Sequence, residues 1–191
     1  MALAVAAAVP AVAQSYSPAH KFLDAVDKKK GDDVVEMLSK PGSTLINSRE
    51  LESNRTALHI VIERRDLTWL NFLLARGADP NLADSRGVTP LLLAVRMGFV
   101  EAVDSLVKNH ARLNDSNDAG ETPLISAVHA RNIPMMRVLL QAGADPDHTD
   151  NSGRSARDYA KLDGADSAVL AEIVKSAKTS RSDSGGYGPS L

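Results

Sequence analysis

Five histidines, one aspartate-rich run and one lysine triplet are the residues of this 191-residue chain that could do chemistry. A metallohydrolase holds its ion with a His-x-x-x-His pair, a serine hydrolase raises its nucleophile on Gly-x-Ser-x-Gly, and a nucleotide binder wraps phosphate in a glycine loop. None of these patterns is present; His20, His59, His110, His129 and His148 are scattered along the chain. Asp145-Pro146-Asp147-His148-Thr149-Asp150 offers carboxylates for calcium, but it lacks the loop glycine and closing glutamate of a calcium hand. It reads as turn, where aspartate accepts backbone hydrogen bonds. Lys28-Lys29-Lys30 precedes Gly31 and reads as the cationic end of a helix, favoured there by the helix dipole. The absence of cysteine removes disulfides, thiolate metal sites and cysteine nucleophiles. Three Phe, three Tyr, one Trp and a net charge of -2 leave little with which to stack bases or attract phosphates. The expectation is therefore of no catalytic residue, no metal, no cofactor and no nucleic-acid partner.

The elements that would position any site repeat along the chain. Thr56-Ala57-Leu58-His59, Thr89-Pro90-Leu91-Leu92 and Thr122-Pro123-Leu124-Ile125 start 33 residues apart, and Ser155 continues the series. The same step joins Gly87, Gly120 and Gly153, with Asn54 in the fourth place, and joins Ala94, Ala127 and Ala160. Twice that step joins Gly77-Ala78-Asp79-Pro80-Asn81 to Gly143-Ala144-Asp145-Pro146-Asp147. Each unit reads physically. A turn such as Asp84-Ser85-Arg86-Gly87 places glycine where positive φ is wanted. Thr89 or Thr122 then caps a short helix whose first position is Pro90 or Pro123, where a missing amide proton costs nothing. A second helix follows, capped by Asp66 or Asn132, with Leu70, Leu73 and Leu74, Val103, Leu106 and Val107, and Met136, Leu139 and Leu140 recurring at helical spacing. Gly77 and Gly143 end these helices in a left-handed cap, and His110 occupies the matching place in between.

The Thr-Pro-Leu-His tetrapeptides and the Gly-Ala-Asp-Pro-Asn endings at this step resemble ankyrin repeats. The resemblance implies an all-α fold, an α-solenoid of about five helix-turn-helix units at 20–47, 48–81, 82–114, 115–147 and 148–178, in one domain over 21–178. It also identifies His59 as the family's capping histidine. The end units depart most from the pattern, as terminal repeats must present a solvated outer face.

What the resemblance implies for function is a non-enzymatic protein-binding module that holds a protein partner on its concave surface. The family's contact positions, carried over, fall on Glu52, Ser53, Arg55, Glu63 and Arg64, on Ser85, Arg86, Val88, Arg96 and Met97, on Asp118, Glu121, His129 and Ala130, and on Asn151, Ser152 and Arg154. Arg55, Arg86, Arg96 and Met97 are the expected anchors, since Arg and Met are enriched at interfaces. Trp69 and Phe72, on a second helix, are expected to pack into the core or the back face. The narrower alternative is an accessory or immunity factor that guards or inhibits one exported enzyme. At the N-terminus an uncharged apolar run closes on Ala11-Val12-Ala13 before Gln14. It reads as a secretory signal cut after Ala13, with 14–20 as linker and the mature protein periplasmic or secreted. No Lys or Arg precedes the run, so an Ala-rich tail on a cytoplasmic protein is the other reading. The run is too short for a membrane span. Residues 179–191, rich in Ser and Gly, are expected to form a disordered tail, and the protein is expected to be monomeric.

Overall fold

The computed structural model describes residues 17–162, 164 and 167–183. The signal reading at 1–13, and the part of the tail from 184 on, lie outside these residues. Ten α-helices form five antiparallel pairs among the described residues: α1 (Pro18–Asp27) with α2 (Gly31–Ser39), α3 (Ala57–Glu63) with α4 (Leu67–Ala75), α5 (Pro90–Arg96) with α6 (Val100–Lys108), α7 (Pro123–His129) with α8 (Ile133–Gln141), and α9 (Ala156–Leu162) with α10 (Ala168–Asp183). First helices stack on first helices, and from α4 onward second helices on second helices, so the fold is an all-α repeat solenoid. Two boundaries move. Helix α1 begins inside the stretch expected as linker, because the Ser17 side chain accepts from the His20 amide and Pro18 supplies the first turn. Helix α10 runs past 178 to Asp183, shortening the expected tail.

The helix starts follow the capping chemistry. Thr89 accepts from the Leu92 amide, Thr122 from Ile125, Asp66 from Trp69 and Asn132 from Met135. Residues one repeat apart fill the same slot of one continuous core. Val61, Ala94, Ala127 and Ala160 are fully buried where first helices approach closely, and Leu73, Leu106 and Leu139 where the second helices pack. In the last repeat the leucine slot holds Glu172, whose buried carboxylate receives the Arg137 guanidinium through two bonds of 3.0 and 2.9 Å.

Between helix pairs the chain turns out into fingers that stack on one another. The Ser85 amide donates to the Ser53 carbonyl, Asp118 to Arg86, and Asn151 to Ala119, at 2.8 to 3.2 Å. Three fingers are each closed by one side-chain oxygen: Asp84 accepts from the Arg86 and Val88 amides, Asn117 from Ala119 and Glu121, and Asp150 from Ser152 and Arg154. Leu51 stands in that position in the first finger and has no acceptor to offer. That finger closes instead between Glu50 and Arg55, leaving Leu51 97% exposed. A second ladder runs below the helices, where Asn47, Asn81 and Asn114 accept the amides of Asp79, Arg112 and Asp145 in the next repeat.

Candidate partner-binding face

The fingers and the first helices give the solenoid one face on which polar side chains recur at the repeat step. Two columns define it: Arg55, Val88, Glu121 and Arg154 just before each first helix, and Glu63, Arg96, His129 and Leu162 at its end. Their pairings alternate. Arg55 meets Glu63 within its own repeat, with Glu50 3.7 Å away, whereas Arg96 reaches forward to Glu121 of the next. Glu121 also accepts from the Asn117 amide group at 3.2 Å. At the far end the ring centroids of His129 and Tyr159 lie 4.5 Å apart, edge to face, and the Arg154 guanidinium sits 6.0 Å from the Tyr159 ring centre. The expected residues thus fall into three contact groups on the two columns, Arg55 with Glu63, Arg96 with Glu121, and His129 and Arg154 with Tyr159.

The others separate from these groups for physical reasons. Val88 is a correction: its side chain is only 3% exposed, packed under the finger, and it serves the fold through a carbonyl that accepts from His59. Arg64 is engaged by the scaffold, donating to the Val26 and Asp27 carbonyls at 2.6 Å and to Asp66 at 3.4 Å, which ties the first two repeats together. Met97 is half-buried against the core, and its carbonyl accepts from Arg65. Arg86, by contrast, projects from its finger with its side chain 80% exposed. Glu52, Ser85, Asp118, Ala130, Asn151 and Ser152 are exposed and Ser53 is half-buried, with the tips held by the finger ladder.

His59 is the joint between the second and third repeats. Its Nε2 lies 2.9 Å from the Val88 carbonyl, which can only accept, so Nε2 carries the proton. Nδ1 then accepts from the Thr56 amide at 3.2 Å, with the Thr56 hydroxyl 2.9 Å away. Burial lowers the pKa of this imidazole from its ordinary value, and the Val88 carbonyl only partly opposes that. At the other end of the face the Tyr159 hydroxyl donates to Asp150 at 2.6 Å, and together with Ser152 it holds that carboxyl well below the usual range.

Several contributors were not singled out from the sequence. At the N-terminal end His20, Leu23, Asp24, Asp27, Glu50 and Ile60 join the expected Arg55 and Glu63 in lining a hollow of about 380 Å³. Tyr159 follows Ile60, Leu93 and Ser126 at the repeat step, so a column-by-column reading carries the signal that marks it. On the opposite side Trp69 and Phe72 are half-buried, packed edge to face at 5.6 Å and covered by Arg64 and Arg76. Among the described residues no group of three or more His, Asp or Glu is placed to hold a metal ion, and no helix is long and apolar enough to cross a membrane.

The comparisons with known proteins agree with this architecture. The family described as Ankyrin repeats (3 copies) matches residues 22–117, 58–150 and 100–171. The chain is similar to the SH3 and multiple ankyrin repeat domains protein 2 of Homo sapiens, 35% identical over 107 residues, which cover 55% of this chain and 6% of that protein. It is likewise similar to the ANK repeat-containing protein nipk-1 of Caenorhabditis elegans, at 32% over 112 residues, 51% of this chain and 18% of the relative. The neurogenic locus notch homolog protein 1 of Danio rerio matches at 32% over 140 residues, 72% of this chain and 6% of the relative. The chain therefore spans less than a fifth of each of these relatives. With five stacked helix pairs, fingers in register at a 33-residue step and a family match running from residue 22 to 171, the chain belongs to the ankyrin-repeat family, whose repeats are a general protein-interaction module.

Proposed function

We propose that the protein is a non-catalytic module that holds one protein partner against the face formed by its fingers and first helices. The observation that carries this reading is the columnar arrangement of charge on that face. Glu63, Arg96 and His129 are exposed along one column and Arg154 in the neighbouring one, while the second helices turn Leu70, Leu73, Leu106 and Leu139 inward. Ion pairs such as Arg96–Glu121 add little to stability when solvated, but they present oriented donors and acceptors to a docking surface. The test is capture of the partner, first identified by cross-linking, with Arg86, Arg96 and Met97 all replaced by alanine. At least about tenfold weaker binding with an unchanged circular dichroism spectrum is expected. Undiminished capture overturns the reading.

We propose further that the module acts as a monomer after export, with the leader removed behind Ala13. The support is the apolar run closing on Ala11-Val12-Ala13. N-terminal sequencing of the fractionated protein is expected to begin at Gln14, and a cytoplasmic chain retaining Met1 overturns the proposal. In its narrower form the partner is a single exported enzyme that the module guards or inhibits. Cross-linking to many unrelated proteins counts against that form.

A further inference from the structure

The two ends of the face differ in what they leave uncompensated. In the column before the first helices, Arg55 is answered by Glu63 and Glu50, Glu121 is answered by Arg96, and Val88 is buried. Arg154, in the fourth place, has no carboxylate within ion-pair distance among the described residues and lies only over the Tyr159 ring. Tyr159 is itself fixed. Its hydroxyl is spent on Asp150, and Asp150 is held in turn by the Ser152 and Arg154 amides, so the ring is presented edge to face with His129 at no further cost in rotamer freedom. Beside it Leu162 is 70% exposed and, with Val128, His129, Arg131 and Tyr159, lines a hollow of about 270 Å³. A terminal repeat is expected to turn polar residues to water, and an exposed leucine beside a pinned aromatic ring, on which lies a guanidinium without a carboxylate among the described residues, departs from that rule.

We infer that this end of the face docks an acidic protein segment carrying a bulky apolar side chain, the carboxylate meeting Arg154 and the apolar group covering Leu162 and the Tyr159 ring. The inference rests on the concave-face reading above and specifies the chemistry of the partner. Charge complementarity favours the acidic segment: a basic one would set a second cation against Arg154. The packing of Tyr159 makes the site preformed, which lowers the entropy lost on binding.

The test titrates the full chain with a short fluorescent peptide alternating Glu and Leu, and with its counterpart alternating Lys and Leu. The Glu peptide is expected to bind at least about tenfold more tightly. Arg154→Glu is expected to reverse that preference, a reversal that a merely structural role would not produce. Leu162→Ser is expected to weaken the Glu peptide about tenfold, the cost of one apolar contact. Equal binding of the two peptides by the native chain, or titrations unchanged in either variant, overturns the inference. Capture of the cross-linked partner separates the two readings. If it survives Arg154→Glu with Leu162→Ser but not the Arg86, Arg96 and Met97 alanine changes, this inference fails and the broader face stands. If it survives the Arg86, Arg96 and Met97 changes, the concave-face reading is overturned and this inference falls with it.

Discussion

Replacing His59 by leucine tests the joint between the second and third repeats most directly. Leucine is the sequence's own choice at the equivalent place in the third repeat, Leu92, so the shape is tolerated and the hydrogen bonds are what is lost. The change strands the Thr56 amide, at about 1–3 kcal/mol for a buried donor without a partner, and takes one bond of about 1 kcal/mol from the Val88 carbonyl, which keeps the Asp84 amide at 2.9 Å; burial of the new side chain returns up to about 2 kcal/mol. A net loss of about 1–3 kcal/mol at pH 7.5 follows. Protonation removes the Thr56 bond by another route, because a proton on Nδ1 faces the Thr56 N–H, while the Nε2–H bond to the Val88 carbonyl persists. The folded imidazole binds its proton less readily than the unfolded one, so the stability it contributes is complete above the ordinary histidine value of about 6.5. It drains away below that value, by at most about 1.4 kcal/mol at pH 5.5. Urea unfolding followed by circular dichroism at pH 7.5 and 5.5, on the native chain and on His59→Leu, measures both effects. The other four histidines are common to both proteins, so the difference between them isolates His59. A native chain whose stability does not change between the two pH values, or a variant that loses as much on acidification as the native chain, would refute the assignment of this histidine as the neutral bridge.

Two finger glycines with the same backbone should behave differently. Gly120 and Gly153 have φ of 78° and 77°, but a β-carbon on Gly120 would lie 2.5 Å from the Asn151 amide nitrogen and 2.9 Å from the Asp150 carbonyl carbon, while Gly153 has open space. Gly153→Ala is expected to cost about 1–2 kcal/mol for the left-handed backbone alone, and Gly120→Ala clearly more; equal losses in urea melts would contradict the stacked-finger geometry. Arg137→Ala, which removes both hydrogen bonds from the guanidinium to the buried Glu172 carboxylate, should lower the thermal midpoint, and adding Glu172→Leu should restore it, since leucine fills that slot in the preceding repeats. Tyr159→Phe removes the donor that holds Asp150 low. Because a depressed carboxyl stabilises the fold above its ordinary pKa of about 3.8 and loses that contribution below it, the variant should lose less stability on acidification through that range than the native chain does. Acid titrations of the two proteins that superimpose would refute the contact.

The register of this protein was legible in its sequence because local chemistry recurs. Threonine caps, first-turn prolines and left-handed glycines each act within a few residues, and 33-residue spacing repeats them. The same holds for Asn54 and His110, whose φ of 55° and 64° are those expected from their place in the period. The left-handed positions between paired helices gave no comparable signal. Lys29, Arg65 and Arg131 stand there as well as Gly98 and Gly164, and a long charged side chain does not advertise positive φ.

The site was legible in part. The sequence placed the candidate contact positions by register, but which of those side chains are available depends on partners about 30 residues away in the chain. Val88 and Arg64 are withdrawn from the face by burial and by bonds to neighbouring backbone, while Tyr159 and Leu162 are brought to it. Caps and turns are local and can be read from neighbouring letters. Exposure and the pairing of charges belong to the stack, and only the tertiary structure decides whether a given arginine is answered, as Arg55 and Arg96 are, or is without a carboxylate among the described residues, as Arg154 is.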